Sequence, residues 1–325
     1  MKLDEEVSAA VRDSFQAKKV ESFTPLSGGH AHQTLLVRLG GKEVVLKIFD
    51  LEDFDDRFRK GFTVAPRLLE KIKEETEVPA PEPLGSGDIR GRPYYFLEKL
   101  EGKTPYFNST GPYFDRISRE NKKSILRQLG HHIASIHREI EFDRTGQLVL
   151  ESGGICVEAR DSWKDFLEEI FDNWLGDMNE KFSHMEPEIR SFLDDKLHLV
   201  EGISDYSLLH RELDKKNILV EGENLAGIVD WDDCISGHAE FDLFYAEAQL
   251  IMSLRTERLW KSCREHLYDG YRETRELDDG WRQRRNLYLL FPMVINMNFW
   301  NQEWKNNAEF YEKRCREILR DSSPG

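Results

Sequence analysis

The run "LLHRELDKKNILV", residues 208–220, sets a His, a Glu and an Asn between two apolar ends. His210, Glu212 and Asn217 follow the order H-x-E-x-x-x-x-N, and Asp230 sits at the end of the next apolar run, "NLAGIVDWDD". If "NILV" and "LAGIVD" pair as a hairpin turning at "EGEN", Asn217 and Asp230 meet near one edge. An amide oxygen and a carboxylate are hard ligands, suited to Mg²⁺ held partly by substrate phosphates. Glu212 and His210 then face a substrate hydroxyl, and the buried strands give a phosphoryl-transfer site its rigid support. Taken alone, the pattern is short enough to arise by chance, as a polar turn with a satisfied Asn.

Near the front, Lys47 interrupts the apolar run "VVLKIF". A Lys in a buried strand is costly unless its charge finds a partner. Either its stem packs while the ammonium reaches water, or the ammonium grips nucleotide phosphates. Upstream, "SGGHA" is on its own an ordinary hairpin turn. Coupled to Lys47, Ser27, Gly28 and Gly29 become a loop whose backbone approaches phosphates closely.

These residues need two supports. A chain of 325 residues is long for one core, so two lobes are expected. Residues 3–15 read as an amphipathic helix. The runs "VESFTPL", "HQTLLVRL" and "GGKEVVLKIFD" read as consecutive antiparallel strands. Residues 55–76 read as a helix broken or restarted near Gly61 and Pro66. "VPAPEPLGSGD" reads as extended loop, and "RPYYFLEKL" as a strand. From Ser118 the pattern turns helical, with Ile125, Leu129, Ile133 and Ile136 at near-helical spacing. Helices are expected over 163–181, 187–200, 239–254 and 282–320, with strands in this half only over 207–230. Residues 321–325 read as a frayed tail. The division falls near residues 98–102, giving a nucleotide-binding lobe over 1–99 and a catalytic and substrate-binding lobe over 100–325.

The net charge of −15 argues against a nucleic-acid binder, which needs a basic face. It is compatible with a cationic substrate, although net charge by itself speaks only to solubility. The acidic start lacks the apolar region of a secretory signal, and no run reaches the ~18 apolar residues of a membrane span. Cys156, Cys234, Cys263 and Cys315 are far apart and form no C-x-x-C pair, which fits reduced thiols in a cytoplasmic protein. His131, His132 and His137 share a helix but read as non-ligating. Trp163, Trp174, Trp260, Trp281, Trp300 and Trp304 read as helix packing, the alternative being a cage for an alkylammonium group.

Taken together, the motifs resemble the aminoglycoside phosphotransferase and choline kinase family, which has a protein-kinase-like fold. "LSGGHAHQTLLV" is similar to the family's nucleotide loop, "VVLKIF" to its phosphate-lysine strand, and "LGHHIASIHR" to its L-G-x-x-L-A-x-L-H helix. "LLHRELDKKNILVEGENLAGIVDWDD" matches the H-G-D-x-x-x-x-N…I-D-W-E core, and "SGHAEFDLFYA" the segment after it. The resemblance implies a bilobal α+β fold, with an N-terminal antiparallel sheet lobe and a larger, mainly helical C-terminal lobe. It implies Mg²⁺-dependent transfer of the γ-phosphoryl of ATP to a hydroxyl of a small molecule: aminoglycoside-like, an amino alcohol or another hydroxylated metabolite. Lys47 would hold the phosphates, the backbone around Glu98 to Leu100 would receive the adenine, and Asn217 and Asp230 would bind the metal. Glu212 falls on the catalytic Asp position. His210 would orient the loop, and Asp242 would tie down the loop after Asp230 or lie on a helix surface.

Two departures stand out. Glu212 replaces an Asp and reaches one carbon–carbon bond, ~1.5 Å, further. Asp214, in "DKK" where the family often has H-P-G, is a weaker substitute base. The first helix should place an acid near residues 63–65 to pair with Lys47, and none is there; Glu52 and Glu70 are off register. A nucleotide-binding pseudoenzyme with a regulatory or scaffold role is therefore the alternative.

Overall fold

The apolar runs 32–39 and 42–49, parted by Gly40 and Gly41, form two paired strands with two different faces, and the N-terminal lobe is built on that difference. The computed structural model describes residues 5–16, 19–26, 32–49, 56–104, 117–152, 154–251, 257–298 and 305–320. The lobe contains α1 (Glu5–Phe15), β1 (Ser22–Pro25), β2 (His32–Leu39), β3 (Lys42–Phe49), α2 (Asp56–Glu75), β4 (Pro83–Ile89) and β5 (Arg92–Glu98). Its sheet is antiparallel in the order β1-β2-β3-β5-β4. Val44, Leu46 and Ile48 turn to one face and join Val7 and Val11 of α1 in a small core. Side chains alternate along a strand, so Lys47 and Phe49 turn to the other face.

Two expectations here need correction. Helix α2 runs unbroken through Gly61 and Pro66. An interior Pro costs about 3 kcal/mol, but the buried stripe of Phe62, Val64, Ala65, Leu68, Leu69 and Ile72 outweighs it. "PLGSGDI" is strand β4 rather than loop. It is an edge strand, paired only with β5, where a leading Pro and interior glycines are tolerated.

The C-terminal lobe contains α3 (Arg119–Glu139), β6 (Glu141–Phe142), β7 (Gly146–Glu151), β8 (Gly154–Ala159), α4 (Trp163–Gly176), α5 (Glu186–Lys196) and β9 (Tyr206–Leu209). After these come β10 (Ile218–Glu221), β11 (Asn224–Ile228), β12 (Ile235–Gly237), α6 (Glu240–Ala246), α7 (Glu257–Arg272), α8 (Trp281–Asn298) and α9 (Lys305–Arg320). Together the two lobes form a bilobal, protein-kinase-like α+β fold. The expected hairpin is present as β10–β11. This half holds more strand than expected, in a second five-stranded sheet, β6-β9-β12-β7-β8. The β7–β8 hairpin was foreshadowed by the alternation in "GQLVLESGGICVEA", the same Gly-centred pattern read as strands at the front. Helix α7 was missed because its charges mask a stripe of Cys263, Leu267, Tyr268 and Tyr271, all buried. The single helix expected over 282–320 is two, α8 and α9, and residues 299–304 lie outside the described ones.

The tryptophan reading holds where it is described: Trp163 and Trp281 are buried in the core and Trp174 packs against it. Trp300, Trp304 and the side chain of Trp260 lie outside the described residues. All four cysteines are free thiols. Among the described residues no helix is long and apolar enough to cross a membrane.

Helix α2 joins the lobes by packing. It lies more extensively on β7 than on any strand of its own sheet. Lys60 reaches Glu158 of β8 at 2.8 Å. At Gly61 a Cβ would collide with the carbonyl oxygen of Asp232, so the helix meets the segment after Asp230 backbone to backbone. The chain crosses between lobes at residues 99–104, where Lys103 pairs with Val220 of β10 through two backbone hydrogen bonds of 3.0 and 2.9 Å. Gly61→Ala should therefore destabilise the protein by about 1–3 kcal/mol through overpacking. Gly176→Ala, at the end of α4 with open space around it, should be neutral or gain up to about 1 kcal/mol. Urea midpoints for the two variants decide this; a wild-type midpoint in Gly61→Ala would show that α2 is not seated there.

Candidate active site

Strand β9 is buried along its length and delivers the polar loop at residues 210–217. Asp242 of α6, itself buried, holds the start of that loop. One carboxylate oxygen accepts from the His210 N–H at 2.6 Å, the other from the Arg211 N–H at 2.9 Å. This corrects the expected role of Asp242, which secures the loop before Asn217 rather than the one after Asp230. His137 lies behind it, Nε2 3.7 Å from the same carboxylate and Nδ1 3.0 Å from the Tyr271 hydroxyl.

His210 is spent on structure. Its Nε2 donates to the Val229 carbonyl at 3.0 Å, which leaves Nδ1 to accept from the Glu212 N–H at 3.2 Å. Burial lowers its pKa, with nearby acids, Asp242 first, opposing, so a neutral ring fits both bonds. Asp214 is committed too: its Oδ1 accepts from the Lys216 N–H at 2.6 Å and shapes the turn. The Glu212 carboxylate makes no hydrogen bond among the described residues. Asn217 donates its amide N–H to the Glu212 carbonyl at 2.9 Å, leaving Oδ1 as a free acceptor. The Val229 N–H donates to the Asn217 carbonyl at 2.8 Å, which ties the end of β11 to the loop.

Asp230 has φ of 71°, a left-handed conformation that costs a non-Gly residue of order 1–3 kcal/mol. The turn sends the carboxylates of Asp230 and Asp232 to one side, while Trp231 packs inward against His210, ring centroids 4.6 Å apart. Both carboxylates meet the ammonium of Lys47, Asp230 Oδ1 at 2.6 Å and Asp232 Oδ2 closer still. Tyr95, opposite Lys47 on β5, donates its hydroxyl to Asp232. Burial alone would lower the Lys47 pKa, but the two carboxylates outweigh it and raise it. Burial would raise that of Asp230, yet Lys47 first and then His32 hold it below the usual carboxylate range.

Lys47 and Asp230 thus meet directly, Asn217 is tied to Val229 beside Asp230, and the acid missing from the first helix has a replacement. Asp232 pairs with Lys47 from the opposite lobe, while Glu70 pairs with Arg67 one turn along α2 at 2.5 Å; Glu52 lies outside the described residues. Asp232 was visible in "VDWDD" but was sought on the helix. His32 was also missed: its ring nitrogens lie 3.8 Å from Asp230 and 3.5 Å from Asp232. The helical histidines are not part of any candidate metal cluster among the described residues; His32, Asp230 and Asp232 form one. Ser27, Gly28 and Gly29 lie outside the described residues. Glu98 ends β5, its N–H bonded to the Glu82 carbonyl at 2.8 Å, and Leu100 packs close to Gly227 of β11.

The donor set fits a divalent cation. His32, Asp230 and Asp232 lie close enough together to share one; the two carboxylates are hard oxygen donors suited to Mg²⁺, and the His32 nitrogen is a softer neighbour.

The profile of the phosphotransferase enzyme family matches residues 22–287. The chain belongs to this family. Among curated proteins none matches it. Solved structures of similar fold include a microcompartment-associated aminopropanol kinase, at 17% identity and TM-score 0.66, with 97% of this chain and 99% of that one covered. A thermostable mutant of the aminoglycoside phosphotransferase APH(4)-Ia aligns at 18% identity and TM-score 0.63 over 98% and 100% of the two chains. APH(2″)-IIa in a ternary complex with streptomycin and ATP aligns at 14% identity and TM-score 0.63 over 98% and 99%. At these identities the likeness is one of fold.

The electrostatics of the loop centre on Glu212. Burial, then Asp233, Asp230 and Asp214, push its carboxyl up to about 8, with Arg211 opposing. The folded chain binds this proton more tightly than the unfolded one, where the carboxyl titrates near 4.5. The stability Glu212 contributes is therefore full below pH 4.5 and is lost as the pH rises through 8. Glu212→Gln stays neutral throughout. In buffer free of nucleotide and metal, its unfolding temperature relative to wild type should climb steadily from pH 5 to pH 8. A difference that stays constant over that range would show that Glu212 is not desolvated.

Proposed function

We propose that this protein is an ATP- and Mg²⁺-dependent phosphotransferase that moves the γ-phosphoryl group to a hydroxyl of a small molecule. One observation carries the reading: Lys47 from one lobe is locked to Asp230 and Asp232 from the other, beside an Asn217 oxygen and a Glu212 carboxylate that are both unspent. A phosphate clamp, metal ligands and a proton acceptor then share one cleft.

Lys47 exchanges carboxylates for phosphate oxygens when nucleotide enters. Ser27, Gly28 and Gly29 offer backbone N–H groups to the phosphates, and the backbone at Glu98 and Leu100 receives the base. Asn217 and Asp230 hold Mg²⁺, which when bound neutralises charge on the phosphates. Glu212 accepts the proton of the attacking hydroxyl. A general base works best with a pKa near the operating pH, and the value of about 8 places Glu212 closer to it than an ordinary carboxylate. Asp214 is a poorer candidate because its oxygen is bound into the turn. The acceptor class remains broad on this reading: amino alcohols, aminoglycosides and other hydroxylated metabolites.

ATP should raise the unfolding temperature only with Mg²⁺ present, because a ligand of the native state stabilises it by mass action. Asp230→Ala should remove the metal-dependent part and Lys47→Ala should weaken the nucleotide part. No shift with ATP and Mg²⁺ in the wild type would sink the reading together with its pseudoenzyme alternative. Turnover separates those two. With an acceptor in hand, Glu212→Gln should lower kcat by ~10²–10⁴-fold with little change in ATP affinity, and Asp214→Asn should keep most activity. ATP binding without acceptor-dependent turnover across a broad panel would favour the pseudoenzyme; the reverse ranking of the two variants would move the base to Asp214.

A further inference from the structure

His32 is a buried polar side chain that the fold leaves without a hydrogen bond. Its side chain is 8% exposed, and neither ring nitrogen makes a hydrogen bond among the described residues. The pairing of β2 with β3 sets His32 opposite Phe49 and Thr34 opposite Lys47, so His32 and Lys47 are diagonal neighbours on the inner face. The ring also packs against Phe62 of α2, centroids 5.8 Å apart. Register and packing together aim it at two acids: Nε2 lies 3.8 Å from Asp230 Oδ1, and Nδ1 lies 3.5 Å from Asp232 Oδ2.

Those two oxygens are the ones that hold Lys47. Their spacing suits a metal as well. Adjacent ligands about 2.1 Å from an octahedral cation stand about 3 Å apart, and one nitrogen and two carboxylate oxygens here lie within 4.8 Å of one another. Lys47 and a metal cannot share the oxygens, because both are cations. Lys47 answers one of the two negative charges; a dication answers both. Tyr95 holds the other oxygen of Asp232 and leaves Oδ2 for the cation. Asp230 is the open side of the cluster, its side chain 25% exposed against 12% for Asp232. Its second oxygen makes no hydrogen bond among the described residues. The nitrogen then bears on metal choice. Mg²⁺ takes oxygen ligands, whereas imidazole favours first-row transition metals, increasingly from Mn²⁺ to Co²⁺.

Resting on the phosphotransferase reading, we propose that His32, Asp230 and Asp232 form one cation site, plugged by Lys47 in the nucleotide-free protein and taken by a divalent metal once phosphates draw Lys47 away. His32 is a ligand of that metal and makes the site prefer Mn²⁺ and Co²⁺ to Mg²⁺. Metal and nucleotide therefore bind as a pair, because metal alone finds its oxygens occupied.

Calorimetry with Mn²⁺, Co²⁺ and Mg²⁺ in the absence of nucleotide tests the plug. Lys47→Met keeps the buried stem and removes the charge. It should bind Mn²⁺ about tenfold or more tightly than wild type, since a unit charge a few Å from a dication is worth at least that. Adding His32→Asn, which offers an oxygen in place of the nitrogen, should then weaken Mn²⁺ and Co²⁺ about tenfold or more and leave Mg²⁺ nearly unchanged. Should either variant fail to unfold cooperatively, the wild type carries the test. With Mn²⁺ and ATP, electron spin-echo spectra of protein made with heavy-nitrogen histidine should show that nitrogen coupled to the metal. Equal Mn²⁺ affinity in wild type and Lys47→Met, a transition-metal preference that survives His32→Asn, or no histidine coupling would overturn the proposal. Because Lys47→Met binds metal without nucleotide, the two readings fail separately. Metal binding that depends on His32, with no turnover of any acceptor, supports the site while the transferase reading falls. Acceptor-dependent turnover with metal affinity indifferent to Lys47 and His32 leaves the transferase reading standing and overturns the site.

Discussion

The ammonium of Lys47, almost wholly removed from water, is the charge around which the rest of the site is arranged. A buried charge is tolerated only when it is paired and hydrogen-bonded, and removing one partner of such a pair typically costs about 3–5 kcal/mol. The alternation of β3 sets Lys47 on the inner face. The left-handed turn at Asp230 then brings two carboxylates to it while Trp231 goes into the core, its indole N–H donated to the Ile228 carbonyl at 2.9 Å. Strain at one residue is offset by two charge-assisted bonds, and Tyr95 steadies the second acid.

The loop at residues 210–217 is held by Asp242 and His210 rather than by Glu212 or the side-chain oxygen of Asn217. Asp242 takes two backbone N–H groups, and His210 uses both ring nitrogens. Arg211 has a left-handed φ of 68°, so the loop is bent at the residue whose N–H Asp242 holds. Among the described residues, what this leaves without a hydrogen bond is the Glu212 carboxylate and the side-chain oxygen of Asn217. This division explains how a longer Glu can stand where the family has Asp: the backbone beneath it is set independently of the carboxylate.

Much of this was legible in the sequence because the signals were local. Polar residues at fixed spacing inside apolar runs gave the loop, the β10–β11 hairpin and Lys47, and the two strand faces followed from alternation. What escaped depended on contacts between distant segments. The search for a partner to Lys47 was confined to the first helix, whereas Asp232 arrives from far along the chain. His32 was read only as the first residue of a strand, and it is the pairing of β2 with β3 that brings it beside the same acids. Asp242 was assigned to the wrong loop, since nothing local says which backbone a buried carboxylate will meet. Pro66 suggested a break that burial overrides, and β7–β8 was lost in a half that otherwise reads as helix.

The packing of α2 has a mechanical consequence. The covalent crossing lies at residues 99–104, but α2 rests on β7, and its apolar stripe merges with the larger core of the C-terminal lobe. The same core takes in Phe49, Tyr95 and Leu97 from the inner face of the sheet, so α2 is a keystone: a change that loosens its stripe is felt at once by the strand that carries Lys47 and by the segment that carries Asp230.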